Sequence, residues 1–551
     1  MSRFLTTLLA TAAGSPHGMT TGEPRTPVRR TWPDIHDVAR RAAGALTDAG
    51  LSRGSAVGVL AGEPGSIAPA VQAVWLIGGS VTMLHQPTAR TDLAGWAEQT
   101  VGVLKMINAQ LVLLGAPFDG LAPVLAERGI SYRLLDDLNG SPIEPTADAA
   151  SEDDTALLQL TSGSTAEPKA VRITHRNLHA NIGAMTEAAR LDTADDVMIS
   201  WLPLFHDMGM VGFLTIPMAT GIELVSVTPA DFLGRPLIWA ELISRYRGTV
   251  TAAPNFAYAV LARQLGRADD GALDLSSLRF ALNGAEPIDP DAVATFTAAG
   301  ARFGLRPEAV VCAYGMAETA LGVSFAPVDT GLQVDRIDAR ELEEHRRAVP
   351  AGDGDPGGTR RFPLLGPPLP GIEIKVVDDD GAVRGEREVG LLHLRGDSVT
   401  PGYLTVDGPV PAQDADGWLD TGDEGYLAEG SVVVCGRRKD VIIMGGRNIY
   451  PTDIERAASG ADGVRAGNAV AVRLEADGQR HRESFLVAVE SRRAAEPEAV
   501  REIAKDVTSR VVSAVGVRPA QVVVLGPGSL PKTPSGKLRR AATAALLASR
   551  S

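Results

Sequence analysis

Apolar positions along this chain change period repeatedly. Residues 35–49 recur at helical spacing, 57–61 form a short continuous apolar run, 68–77 return to the helical period, and 81–84 have the length of a strand. The pattern resumes further on, with an apolar run at 156–160, a helical pattern over 175–191, and strand-length runs at 197–202, 222–227, 278–283 and 310–315. A helix is expected over 236–246, and 249–258 passes from strand into helix. Strands alternating with helices predict an α/β architecture, a sheet with helices on its faces. Periodicity is lost from 331 to 361, and the Gly/Pro/Asp-rich run 350–358 reads as a mobile loop. Runs at 372–377 and 390–395 and a hairpin over 427–437 suggest a smaller β-rich unit, with 417–423 as a turn-rich stretch. The last hundred or so residues have βαβ character of their own: strands at 470–474 and 485–489, a helix over 497–515 and a strand at 522–525. No internal repeat or low-complexity tract interrupts this order.

Composition narrows the class. A chain of 551 residues is too long for one core and implies about two to four structural units. Its 44% hydrophobic and 22% charged residues are those of a globular protein. The net charge of −14 argues against nucleic acid as the main partner, because a phosphate-binding surface needs clustered cations. Cys312 and Cys435 are the two cysteines, too few for a disulfide framework, so a reducing, cytoplasmic setting is expected. No apolar run reaches the roughly 18 residues of a membrane span. The N-terminus has a short apolar stretch broken by threonines and is expected to be an amphipathic helix rather than a leader.

Candidate chemistry starts at Thr161-Ser-Gly-Ser-Thr-Ala-Glu-Pro-Lys169, which follows the 156–160 run. Small and hydroxyl residues after a strand bring backbone N–H groups close to phosphate oxygens, hydroxyls add donors, and Lys169 adds a point charge. By composition alone the stretch is equally a Ser/Thr/Gly turn, and it lacks the Walker spacing. Four strand-like runs end in polar residues: His206 and Asp207 after 197–202, Asn255 after 249–253, Gly284 to Glu286 after 278–283, and Tyr314 to Thr319 at the end of 310–315. Ligands in open α/β sheets sit beyond the carboxyl ends of strands, so four such ends in one sheet would face one cleft.

Taken together, Thr161–Lys169, Tyr314–Thr319, Gly417–Asp423, Gly436–Asp440 and Pro531–Lys537 resemble, in order, the motifs of the adenylate-forming superfamily: acyl-CoA ligases, fatty acyl-AMP ligases, adenylation domains and luciferases. The resemblance implies that a carboxylate attacks the α-phosphorus of ATP to give acyl-AMP and pyrophosphate. Both reactants are anions, so catalysis is largely positioning and charge neutralisation. It implies that Thr161, Ser162, Gly163, Ser164, Thr165 and Lys169 hold phosphates, and that Glu318, with Thr161, is the Mg²⁺ site. Tyr314 would stack on adenine over a floor of Gly284 and Ala285, and Gly315 and Thr319 would also bind the nucleotide. Asp423 and Arg437 would hold the ribose, and Lys537 would bridge the carboxylate oxygen and the α-phosphate. The implied architecture is an N-terminal domain over 1–436, with two α/β sheets and a β-rich unit, a hinge at 437–440, and a small mobile α+β domain over 441–551. His206 lies in a segment resembling the aromatic motif at the acyl entrance, though a lone histidine is as often structural. Trp201, Phe213, Phe256 and Tyr258 are acyl-pocket candidates or plain core.

Ala166 and Ala170 stand where many members have glycine, which predicts a less pliable phosphate loop. Glu318 is separated from Gly366 by 48 positions, a longer connection than typical acyl-CoA ligases use. This insertion resembles the fatty acyl-AMP ligases, in which it discourages the CoA-accepting orientation and the acyl group passes to the phosphopantetheine of an acyl carrier protein. The expectation is therefore a stand-alone fatty acyl-AMP ligase. The alternatives are a fatty acyl-CoA ligase, an amino-acid adenylation domain (with no aspartate placed for a substrate ammonium), and a non-catalytic nucleotide-binding relative.

Overall fold

The computed structural model describes residues 1–87, 92–161, 168–352, 358–444, 447–474, 484–532 and 538–548. The chain forms two compact units: Met1–Leu332 with Leu365–Glu373 and Leu394–Leu419, and Gln333–Leu364 with Ile374–His393 and Asp420–Ser551. Their boundary does not coincide with 437–440.

The first unit holds two eight-stranded sheets flanked by helices, as expected. One runs Gly322–Phe325, Val310–Gly315, Phe280–Asn283, Val250–Ala253, Val197–Ser200, Glu223–Ser226, Gly18–Thr21, Val28–Thr31. Its interior strands are parallel and its two edge pairs antiparallel. The interior strands are apolar on both faces because helices cover both, which is why they read as continuous runs rather than alternating ones. The other sheet runs Gly408–Pro411, Gly402–Thr405, Lys169–Thr174, Thr155–Thr161, Ser80–Met83, Ala56–Leu60, Ala109–Leu114, Tyr132–Leu134.

Local signals explain the helices. In Trp32–Asp48, Thr31 and Asp34 form a capping box, and Trp32, Ile35, Ala39, Ala42, Ala43 and Leu46 make one buried stripe. The N-terminal segment is the helix Arg3–Gly14, capped by Ser2, with Phe4, Leu5, Leu8 and Ala12 buried. Phe4 meets Trp75 edge-on at 5.0 Å.

The second unit has a four-stranded sheet, Ile372–Val377, Gly390–Gly396, Leu419–Ala428, Ser431–Arg437, and a three-stranded sheet, Ala469–Leu474, Ser484–Glu490, Gln521–Leu525. Helix Pro497–Val515 buries Ala499, Ile503, Val507, Val511 and Val515, a strict four-residue repeat, and ends at Gly516 with φ 69°.

Four local features add to or correct these expectations. First, Lys169–Thr174 is a strand antiparallel to Thr155–Thr161, with Thr161 opposite Lys169, and it intervenes before the helix that begins at His175. Second, the polar end after Val197–Ser200 runs into a π-helix, Met208–Thr215, whose residues are all buried. Third, 331–361 is not irregular. It contains strand Val334–Asp338, helix Ala339–His345 and strand Thr359–Pro363, although 353–357 of the expected mobile loop lie outside the described residues. Its strand was hidden because one inward position is Asp335, whose carboxylate takes Tyr426 Oη at 2.8 Å and Arg387 Nη1 at 3.0 Å. Fourth, the expected 427–437 hairpin pairs from Asp423 and its first strand begins at Leu419; the inward positions Thr421 and Asp423 are polar, which hid that strand.

One buried histidine yields a prediction. His175 begins the helix His175–Ala188, is fully buried beside Ser2 Oγ at 2.9 Å, and burial pushes its pKa down to about 4. A histidine whose folded pKa lies below its unfolded value contributes stability above about pH 6.5 that is lost as the pH falls toward 4. The loss is about 3 kcal/mol. Thermal unfolding between pH 7.5 and 4.5 is expected to show a steep loss of stability that is shallower in His175→Gln, and an identical slope in the variant would contradict it.

Candidate active site

Parallel alignment in the first sheet sets the site's geometry. Val250 is opposite both Met198 and Phe280, and Asn283 is opposite Cys312, so the four polar strand ends named above leave the same edge. At that edge Val310–Gly315 runs into a single 3₁₀ turn, Ala317–Thr319, which presents Glu318. Thr319 is buried and its hydroxyl donates to the Met316 carbonyl at 3.0 Å. Ala320 closes the turn at φ 68°, a left-handed conformation that costs a non-glycine residue energy and marks a constrained site. Gly315 is required, since a Cβ there would lie 2.3 Å from the Leu321 carbonyl oxygen.

The second sheet brings a cation to the same carboxylate. Lys169 Nζ lies 3.9 Å from Glu318 Oε1 and 4.1 Å from the ring centroid of Tyr403, and Tyr403 Oη donates to Glu318 Oε1 at 3.2 Å. Opposite Lys169, Thr161 Oγ1 is buried with no hydrogen-bond partner among the described residues. Ser162, Gly163, Ser164 and Thr165, with Ala166, lie outside the described residues. Ala170 is not in the loop: it is a buried strand residue between Leu160 and Leu404, and its methyl belongs to the core.

Among the described residues no group of three or more His, Cys, Asp or Glu is arranged to hold a metal. A lone carboxylate and a buried hydroxyl with no partner among the described residues suit Mg²⁺, which takes one or two protein oxygens and fills its shell with phosphate and water. Glu318 and Thr161 fit that requirement.

Beside the turn, Gly284 donates to the Ala253 carbonyl at 3.4 Å, and a Cβ on Gly284 would lie 3.2 Å from the Ala313 oxygen. Ala285 follows at φ 67°. Tyr314 is partly exposed, its hydroxyl 3.8 Å from Met316 Sδ. At the Val197–Ser200 end, His206 Nδ1 stands 2.6 Å from Asp207 Oδ1. His85 faces Phe205 at 5.7 Å, and burial with a contribution from His206 pulls its pKa to about 4. The acyl-pocket candidates divide. Tyr258 is buried, donates to the Leu282 carbonyl at 2.8 Å and packs on Phe296, so it is core. Trp201 is buried and stacked on Phe232 at 3.8 Å, and Phe213 is buried in the π-helix. Phe256 alone of the four keeps partial exposure.

The remaining predicted residues belong to the second unit. Asp423 and Arg437 are register partners on adjacent strands, with Arg437 Nε 3.1 Å from Asp423 Oδ1. Asp423 is buried while Arg437 is half exposed. Lys537 lies outside the described residues, but its flanks close a base: Lys532 bridges Leu538, and Arg539 donates to the Pro531 carbonyl at 3.0 Å. Arg540 spans Asp440 at 2.9 Å and Glu455 at 2.7 Å. Residues of the long 318–366 connection also pair with residues beyond 440: Arg447 Nε donates to buried Glu343 at 2.8 Å, and Arg360 pairs with Asp453 and lies over the Tyr450 ring at 5.0 Å. Arg346 of the same connection reaches Glu424 at 3.2 Å.

Sequence reading missed Tyr403 and Arg540. Tyr403 carried no signal, because its partners are remote in the chain; Arg540 could have been found as the cation that follows the Lys537 loop.

The chain matches the family described as AMP-binding enzyme over residues 21–404. It is 57% identical over 99% of its length to Rv1013 of Mycobacterium tuberculosis, matched over its full length, whose name says nothing finer than ligase. It is 34% identical over 71% of its length to the medium-chain-fatty-acid–[acyl-carrier-protein] ligase JamA of Moorena producens, 67% of which is covered. A solved structure from work on fatty acyl-adenylate ligases of E. coli and L. pneumophila superimposes with a TM-score of 0.88 at 30% identity, covering 100% of this chain and 98% of that one. The chain belongs to the AMP-binding enzyme family; it is an AMP-forming ligase of the adenylate-forming superfamily, and it is similar to the fatty acyl-AMP ligases.

Proposed function

We propose that this enzyme activates a fatty acid with ATP and passes the acyl group to the phosphopantetheine thiol of an acyl carrier protein that serves polyketide or nonribosomal peptide synthesis. In the first step a fatty-acid carboxylate oxygen bonds to the α-phosphorus, and the bond to the pyrophosphate oxygen breaks. In the second the thiol sulfur bonds to the acyl carbon, its proton is lost and AMP leaves. Glu318 and Thr161 would hold Mg²⁺, which would supply charge neutralisation at the phosphates. The hairpin loop from Thr161 to Lys169 contributes N–H and hydroxyl donors and one ammonium. Tyr314 packs on adenine over Gly284 and Ala285, with Gly315 and Thr319 shaping the turn. Asp423, an acceptor-only fork, takes the ribose hydroxyls with Arg437 beside it. Lys537 brings its cation to the carboxylate and α-phosphate, then withdraws as 437–440 turns. His206 lines the acyl entrance. The compartment is cytoplasmic; no described helix is long and apolar enough to cross a membrane.

The observation that carries the choice of acceptor is the set of ion pairs from the insertion to Arg447 and Asp453. They couple the insertion to the segment just beyond the hinge and oppose its rotation toward a CoA-accepting orientation. The likeness to JamA, a medium-chain-fatty-acid–[acyl-carrier-protein] ligase, points the same way.

The test is a thiol-acceptor comparison with labelled fatty acid and ATP, resolving acyl-AMP, acyl-CoA and acyl-carrier protein. Acyl-AMP and acyl-carrier protein are expected, with acyl-CoA at trace level. Glu343→Ala is expected to raise acyl-CoA about tenfold, the effect of about 1.4 kcal/mol on a two-state equilibrium. Abundant acyl-CoA from the unaltered enzyme makes it an acyl-CoA ligase instead. No pyrophosphate exchange with any fatty acid, despite ATP binding, makes it a non-catalytic relative.

Lys537→Ala is expected to lower adenylation at least about 10²-fold, the scale of losing one charge aimed at the transition state, with ATP binding essentially unchanged. Acyl-AMP formation at the unaltered rate would remove the lysine from the mechanism.

A further inference from the structure

We propose that Tyr403 is a positioning residue that presets two charges of the nucleotide site independently, its hydroxyl orienting the Glu318 carboxylate and its ring face holding the Lys169 ammonium. This rests on the reading of Glu318 as the Mg²⁺ ligand and Lys169 as a phosphate ligand.

Pairing between Gly402–Thr405 and Lys169–Thr174 sets the geometry. Tyr403 is opposite Val171 and Thr405 is opposite Lys169. Alternation along each strand puts Tyr403 and Lys169 on one face as diagonal neighbours, a separation that an aromatic ring and a long side chain can close. The ammonium sits over the ring at 4.1 Å, where the negative face of the aromatic quadrupole attracts it. The phenolic oxygen at the far end of that ring donates to Glu318 Oε1 at 3.2 Å. Lys169 itself stands 3.9 Å from that oxygen, an ion pair without close hydrogen-bond contact. The lysine is therefore not what fixes the carboxylate's direction; the directional bond comes from the phenol.

The backbone around this pair is held as well. The Thr400 amide donates to the Glu318 carbonyl at 2.7 Å, and the Thr400 hydroxyl donates to the Arg172 carbonyl at 2.5 Å. The turn bearing Glu318, the strand bearing Lys169 and the approach to Tyr403 are tied at one residue, so a side-chain change at 403 leaves the scaffold in place.

Two substitutions separate the two roles. Tyr403→Phe keeps the ring and removes the donor; Tyr403→Leu removes both. Calorimetric titration with ATP in EDTA and again in excess Mg²⁺ reads the gain in affinity that the metal brings. For Tyr403→Phe the affinity in EDTA is expected to match that of the unaltered protein, with the metal-dependent gain reduced about fivefold to tenfold. For Tyr403→Leu the affinity in EDTA is expected to fall as well, about threefold. A merely structural tyrosine would lower the melting temperature and both affinities together in both variants, and that result overturns the proposal. So does Tyr403→Phe with an undiminished metal gain. Glu318→Gln is the control: a full metal gain in that variant sinks the assignment of Glu318 as metal ligand, an outcome distinct from failure at Tyr403.

Discussion

The structure depends on the parallel alignment of Val197–Ser200, Val250–Ala253, Phe280–Asn283 and Val310–Gly315. A side chain at a strand end is useful only if its neighbours end at the same level, and here the pairings of Met198, Val250, Phe280 and Val310 keep the four ends in step. Interior parallel strands covered on both faces admit a polar side chain only where it finds a partner, as Thr251 does with Trp239 and the Ile199 carbonyl, so most polar chemistry is displaced to the ends. His206, Asn255, Gly284 and Glu318 all sit past the last residue of their strands, as that constraint requires. Shifting one strand by a residue would move its polar end out of line with the others.

The second unit adds ion pairs to its apolar packing. The segment 333–364 buries Ile337, Leu342, Ala348 and Phe362 in an apolar cluster and also forms the pairs Asp335 with Arg387, Glu343 with Arg447, Arg346 with Glu424, and Arg360 with Asp453. Several of these groups are buried, and burial pulls the Arg360 guanidinium below the usual arginine range. Buried pairs add little net stability over apolar packing, yet breaking one partner is expensive, so they favour one arrangement over its near alternatives. That property suits a segment whose proposed task is to choose between orientations.

Much of the fold was legible because its signals are local. The helix at 32–48 follows from its capping box and apolar stripe, those at 238–246 and 497–515 from apolar stripes, and the parallel strands from short apolar runs between turns. Segments whose inward positions are polar were misread. Asp335, Thr421 and Asp423 face inward on strands that seemed irregular or turn-rich, because their partners, Arg387, Tyr426, the Leu392 carbonyl and Arg437, are supplied from elsewhere in the chain.

What the residues alone determined, through the resemblance of their ordered motifs to a known family, is the kind of chemistry: that of an AMP-binding enzyme. The roles expected of Thr161, Glu318, Asp423 and Lys537 are carried by that resemblance. The tertiary structure decided which of them meet and what supports them. Lys169 and Glu318 are 149 positions apart, and the tyrosine joining them lies another 85 beyond. Alanine at 170 changed meaning in the same way, from a stiffened loop to a core strand residue. The reason is physical: strand pairing and ion pairing act across any chain separation, whereas a sequence displays only what neighbours along the backbone prefer.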